Sequence, residues 1–141
     1  MKKLSPFTPH ILGLTRILVG VMFASHGAQK VLGAFGGVPA GTPAFVVWGA
    51  GVIELVGGAL IAVGLFTRPS AFLSSGTMAV AYFMAHGLQS FWPIQNGGEL
   101  AILYSWLFLY LAAEGPGAFA LDNVFARSSA SSPRRVASLA A

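Results

Sequence analysis

The chain has 141 residues, of which 55% are hydrophobic and 9% charged, against roughly 25% charged in a soluble domain. So few charges cannot furnish a water-facing surface for a globule of this length, which excludes an ordinary soluble domain and predicts an all-α membrane protein. The net charge of +4 comes from basic residues that form no stripe with interleaved aromatics, which argues against nucleic acid as a partner, and the lack of cysteine excludes disulfides, thiol relays, cysteine-bound zinc and iron–sulfur clusters.

Residues 1–9 read as a cytoplasmic N-terminus, and the first apolar stretch runs from His10 to Leu32. Lys2 and Lys3 ahead of it raise a secretory signal peptide. The run is too long for one, contains Arg16 and lacks a small-x-small cleavage site, so it is expected to stay as a helix. Further stretches follow at Ala44 to Phe66, Ser70 to Leu88 and Glu99 to Ala113. At ~1.5 Å per residue the first two come to ~34 Å, enough to cross a ~30 Å hydrocarbon core with some tilt. The fourth, at ~23 Å, needs local thinning or help from Trp92 and the segment after Gly115 at the interfaces.

This predicts a four-helix transmembrane bundle over residues 10–125. Lys2, Lys3, Arg68, Arg127, Arg134 and Arg135 fall on one side and only Lys30 on the other, so the positive-inside rule places both termini in the cytoplasm. Residues 126–141, rich in serine and arginine, have too little apolar surface to fold and are expected to be a disordered tail.

A carboxylate near the middle of an apolar span is costly unless protein or water receives it, which singles out Glu54. Its neighbours three and four residues away are Ala50, Gly51, Gly57 and Gly58, all small, so Glu54 is expected to face the bundle interior, as a proton carrier or as interhelical glue. Counted from the cytoplasmic edge, Arg16 lies ~6 Å deep, Glu54 ~18 Å, His26 ~21 Å and His86 ~24 Å, which makes the histidines the nearest partners in height. Arg16 shares its face with Gly13 and Gly20; it either turns inward or snorkels to the headgroups. His26 and Lys30 share a helical face, where Lys30 either meets a ligand or anchors at the outer interface.

The segments Phe23 to Gln29 and Phe83 to Gln89 both read F-x-x-H-G-x-Q, sixty positions apart, which suggests a parallel helix-pair repeat with His26 and His86 at matching heights. Between the third and fourth spans, Ser90 to Glu99 forms an outer loop. Its Trp92 is a gate or an interface belt, Asn96 suits a turn, and Glu99 is a first-turn acid or part of a proton-accepting rim.

Arg16, His26-Gly27 with Lys30, Glu54 with Gly57-Gly58, Thr67-Arg68, Asn96-Gly97-Gly98-Glu99, Gly115-Pro116-Gly117 and Leu121-Asp122 occur in an order that resembles the DoxX family, over roughly residues 10–125. Ala120 stands where the pattern has serine. The resemblance implies a multi-pass protein of the bacterial inner membrane. For function it implies less, since some relatives are the membrane subunit of a thiosulfate to quinone oxidoreductase and others associate with enzymes that handle oxidative stress.

The leading expectation is therefore a redox-associated membrane subunit holding a quinone-like ligand near the outer leaflet, with a soluble redox subunit or another protein as partner, lipid around it and a homo-oligomer as an option. Glu54, His26, His86 and Glu99 are the proton-transfer candidates, and Arg16, Lys30, Gln89, Trp92 and Asn96 the ligand-binding ones. The alternatives are a non-enzymatic scaffold or assembly factor that binds its partner through glycine-rich helix faces and exterior loops and, at lower weight, a haem b ligated by His26 and His86.

Overall fold

The computed structural model describes residues 4–130. Lys2, Lys3, Arg134, Arg135 and most of the expected disordered tail lie outside the described residues. A 3₁₀ turn at Ser5–Phe7 leads into α1 (Thr8–Leu32). Then come α2 (Phe45–Val63), α3 (Thr67–Ala85), the single turn α4 (Pro93–Asn96), α5 (Glu99–Glu114) and α6 (Leu121–Ala130), with no strand among the described residues. Two helices, α1 with its leading turn and α2, are long and apolar enough to cross a membrane.

Local chemistry sets these limits. Proline in the first turn of α1 leaves no donor wasted, and Gly33 and Gly64 end α1 and α2 at φ of 68° and 71°, which glycine adopts without a Cβ penalty. The stop at Gly64 ends α2 earlier than the apolar run to Phe66 suggests. At the far end α6 continues to Ala130, so residues 126–130 are helical where the sequence reading began the disordered tail.

Much of α2 is wound more widely than an α-helix: Phe45–Ala50 and Ile53–Gly57 are π-helical, and the second of these turns carries Glu54. Such turns are rare and recur at functional sites. They also break the 3.6-residue period on which a face assignment from sequence depends.

The bundle buries polar groups within its apolar core and covers its outside with large apolar side chains: Arg16, Glu54, Thr67 and Ser74 are buried, while Leu14, Leu18, Phe72, Leu73 and Trp106 are exposed. That arrangement suits a hydrocarbon surround, in which polar groups must be satisfied by protein.

Glycine sets the closeness of α1 and α2. A Cβ on Gly20 would fall 2.5 Å from the Ala62 nitrogen, and one on Gly58 would fall 2.7 Å from the Gly20 carbonyl oxygen. Backbones that touch in this way gain dispersion contact that larger residues would prevent. α3 and α5 are joined by a reciprocal pair, Ser75 Oγ donating to the Ser105 carbonyl at 2.8 Å and Ser105 Oγ to the Ser75 carbonyl at 3.1 Å. Between the two helix pairs lies an aromatic core in which Phe23 of α1 meets Tyr104 and Phe108 of α5 at ring distances of 5.4 and 4.7 Å.

The end of the bundle where α1 begins and α5 ends is closed by charged caps. Arg16, 0% exposed, donates to the carbonyls of Ile61 and Ala62 at the C-terminal turn of α2, and to those of Pro116, Ala118 and Phe119 in the strap between α5 and α6. Arg68 does the same for α5, donating to Ala112, Ala113 and Glu114. A guanidinium at a helix C-terminus fills orphan acceptors and opposes the negative end of the dipole. Asp122, at the start of α6, accepts from the Phe66 and Thr67 amides at 2.8 and 2.9 Å and so caps the N-terminus of α3.

Candidate functional site

At the opposite end the four long helices part around a cavity of about 750 Å³, within the range of ~300–1,000 Å³ usual for small-molecule sites. Its walls are mainly apolar, from Phe23, Ile53, Met78, Ala81 and Leu100 among others. Its polar lining comes from each of the four long helices: His26 and Lys30 of α1, Glu54 of α2, Thr77 and, just past its end, His86 of α3, and Tyr104 of α5.

Glu54 is buried, as its small neighbours predict, with 3% of its surface exposed. Its partner is Lys30, whose Nζ lies 2.5 Å from Oε2. Sequence depth pointed to the histidines instead, and left Lys30 free to reach for the outer interface. The structure turns Lys30 inward, because Gly51 leaves room for its methylenes: a Cβ there would meet the Lys30 side chain at 2.9 Å. The ammonium then pairs with a carboxylate that is 3% exposed, where an unpaired charge would be costly.

His86 follows the last residue of α3 and its Nδ1 lies 2.9 Å from the Asn96 carbonyl. A carbonyl only accepts, so Nδ1 carries the proton; in the neutral ring Nε2 is then an acceptor. Asn96 itself is buried beside the cavity. It donates to the Tyr82 hydroxyl and the Ser90 carbonyl and accepts from the Gly98 amide, which organises the loop that holds His86. His26 stands edge-on to the Tyr104 ring at 6.2 Å. The two F-x-x-H-G-x-Q segments share this cavity but not their backbone setting, since α1 continues past His26 to Leu32 whereas α3 ends at Ala85.

Tyr104 is the residue that sequence reasoning missed. It is 4% exposed and lines the cavity, and its hydroxyl is buried without a hydrogen-bond partner among the described residues. An orphan donor costs free energy unless something supplies an acceptor. The available signal was a phenol in the middle of an apolar span, where phenylalanine would pack as well without a polar tip.

Four other candidates lie elsewhere. Arg16 is spent on the five carbonyls at the closed end. Glu99 is exposed in the first turn of α5, Gln89 donates back to the Ala85 carbonyl, and Trp92 stacks edge-on with Phe91 at 5.2 Å on the exposed loop. The structure therefore brings together His26, Lys30, Glu54 and His86, adds Tyr104, and leaves Arg16, Gln89, Trp92, Asn96 and Glu99 outside the cavity lining. Among the described residues no cluster of three or more His, Asp or Glu is placed to hold a metal ion.

Comparison with known proteins gives a consistent picture. The DoxX family profile matches residues 11–87. An uncharacterised protein of Haemophilus influenzae is 48% identical over 135 residues, covering 89% of this chain and 98% of its own. The inner membrane protein YqjF of Escherichia coli K12 is 29% identical, covering 79% of this chain and 88% of its own. CatD of Bacillus subtilis 168, named as a candidate oxidoreductase, is 31% identical over 77% of this chain and 82% of its own. No solved structure matches.

Proposed function

Because the chain belongs to the DoxX family of membrane proteins, we propose that it is a multi-pass protein of the bacterial inner membrane whose cavity binds a quinone-like ligand, and that it serves as the membrane subunit of a redox assembly. In this reading α1, α2, α3 and α5 cross the bilayer, both termini are cytoplasmic and the cavity lies toward the outer leaflet. The 19 residues of α3 and 16 of α5 give ~28 and ~24 Å, short enough to call for local thinning.

The observation that carries the ligand is the unpartnered Tyr104 hydroxyl in an apolar cavity that also holds an ion pair. A quinone head offers what those walls lack: a flat apolar ring with an acceptor oxygen at each end. Tyr104 can donate to one such oxygen. Lys30 can stabilise negative charge that develops there, and Glu54, His26 and His86 can pass protons. Reduction to the quinol takes two electrons and two protons; the electrons come from a partner redox subunit, in keeping with the oxidoreductase naming of CatD.

The scaffold reading needs glycine-rich faces and exterior loops free to bind a partner. Of these, Gly13, Gly20, Gly27 and Gly58 are taken up by packing within the chain, which removes part of that surface. The test is titration of a soluble short-chain quinone into detergent-purified protein, comparing wild type with Glu54→Gln and His26→Ala. Saturable binding weakened by the substitutions supports the reading; no binding to any of the three removes it. The absorption spectrum of the same sample decides the haem alternative, since a bis-histidine haem b would show a Soret band.

A further inference from the structure

The cavity is walled unevenly. α3 packs on α2 from Ile53 onward, whereas Phe45–Ala50 packs chiefly on α1. Above Ile53, therefore, α2 and α3 stand apart. On the α3 side Gly76, next to the packed stretch, and Val80 and Met84 beyond it line the cavity and are exposed at the same time. They are four residues apart, so they form one stripe along one face. On the α2 side Phe45 lines the cavity and is 58% exposed. A Cβ added to Gly76 would meet nothing within 4 Å.

We infer that this gap is a lateral mouth through which the cavity takes the hydrocarbon tail of a membrane-dissolved amphiphile, the head oxygen bonding to Tyr104 and the tail passing out over Gly76 and Val80. The inference rests on the proposed ligand-binding reading and adds its substrate class: a ligand delivered from the bilayer and not from water. Two observations carry it independently of any resemblance. The buried Tyr104 hydroxyl has no partner among the described residues, so the cavity wall there wants an acceptor atom. The outer lip is apolar and side-facing: it offers a water-soluble ligand no polar partner, whereas a hydrocarbon tail can lie along it without leaving an apolar surround. Ser75 and Ser105 bond to each other next in sequence to Gly76 and Tyr104, which places the Gly76 and Tyr104 backbones at about the same level of the bundle.

The experiment uses full-length protein in lipid nanodiscs and two ligands with the same quinone head, one with a long isoprenoid tail and one with a short tail. Gly76→Phe and Val80→Trp narrow the mouth, and Gly49→Phe adds similar bulk at an open position outside the cavity lining. The expected result is a loss of about tenfold or more in long-tail affinity for both mouth variants, the scale of forcing a tail past a filled opening. Short-tail affinity stays within about threefold of wild type, and Gly49→Phe changes neither. Short-tail binding also reports that each variant is folded. Unchanged long-tail affinity in both mouth variants overturns the lateral mouth, as does an equal loss for both ligands. Failure of both ligands to bind wild type overturns the ligand-binding reading beneath it.

Discussion

Lys30 Nζ donates to Glu54 Oε2 at 2.5 Å, tying α1 to α2 at the rim of the cavity. The lysine side chain is 18% exposed and the carboxylate 4%, so the pair is held with little water. Removing one partner leaves the other charge to be buried alone, and the expected cost is about 3–5 kcal/mol for Glu54→Gln or Lys30→Met. The double variant leaves no unpaired charge and should recover most of that loss. Unfolding midpoints in detergent for all four proteins give the coupling; simple additivity of the two single losses would mean that the pair does not act as a unit.

The seam beside that pair makes a steric prediction. A Cβ on Gly27 would run into the Leu55 backbone, which has no rotamer to escape through. Gly27→Ala should therefore push α1 and α2 apart and cost about 1–3 kcal/mol, as overpacking does. Gly49→Ala, where the added methyl meets nothing, should be neutral or slightly stabilising, because alanine loses less conformational freedom on folding. Thermal unfolding of the two variants in the same detergent compares them directly.

At the closed end, five carbonyl oxygens converge on one guanidinium. Lysine keeps the charge but brings three donors on one nitrogen, and cannot serve α2 and the strap together. Arg16→Lys should therefore lose at least about 3 kcal/mol, from several buried acceptors left unmade, and should free the strap. Faster proteolysis between Gly115 and Leu121 in the variant checks the second consequence. Equal protease resistance in the two proteins would show that Arg16 is not what holds the strap.

Asp122 gives the bundle an acid-sensitive cap. Burial alone would raise its pKa, but the Thr67 and Phe66 amides and the positive charge of Arg16 outweigh it and hold the carboxyl below its ordinary value. The unfolded chain then takes up the proton first as pH falls. The cap's contribution is complete above the ordinary aspartate pKa of about 3.9 and disappears as pH drops through the lowered folded value. Phe66 depends on this cap, since it sits at φ 48°, a costly angle for a bulky residue. Asp122→Asn should be less stable than wild type at neutral pH and show a flatter fall in unfolding midpoint below about pH 4.

How much of this was legible in the sequence depends on which interactions are local. The helix limits follow from apolar runs and from glycines such as Gly33 and Gly64, and the inward turn of Glu54 follows from its small neighbours. The Lys30 partnership was not legible: depth counting assumes a regular rise, whereas Glu54 lies in a π-helical turn, and a lysine side chain reaches across the height difference. Arg16 could be read as inward but not as a cap for α2, because its acceptors come from residues about 45 and 100 positions away, brought together only by the folded strap. Tyr104 stayed hidden within a uniformly apolar run, where an aromatic ring reads as packing until its hydroxyl is seen to lack a partner.

That hydroxyl allows stability and binding to be separated in one substitution. Tyr104→Phe keeps the ring against Phe23 and Phe108 and removes only the unpartnered oxygen. A structural tyrosine would lose stability on losing its hydrogen bond. An orphan hydroxyl has none to lose, and removing its desolvation cost of about 1–3 kcal/mol should leave the ligand-free protein as stable as wild type or more so. Affinity for a short-chain quinone should fall instead, by about five- to tenfold, the worth of one hydrogen bond to a neutral acceptor. Unfolding midpoints and titrations on the same two samples give both numbers. A variant that is destabilised yet binds normally would return Tyr104 to the packing core and leave the cavity without its head-group donor.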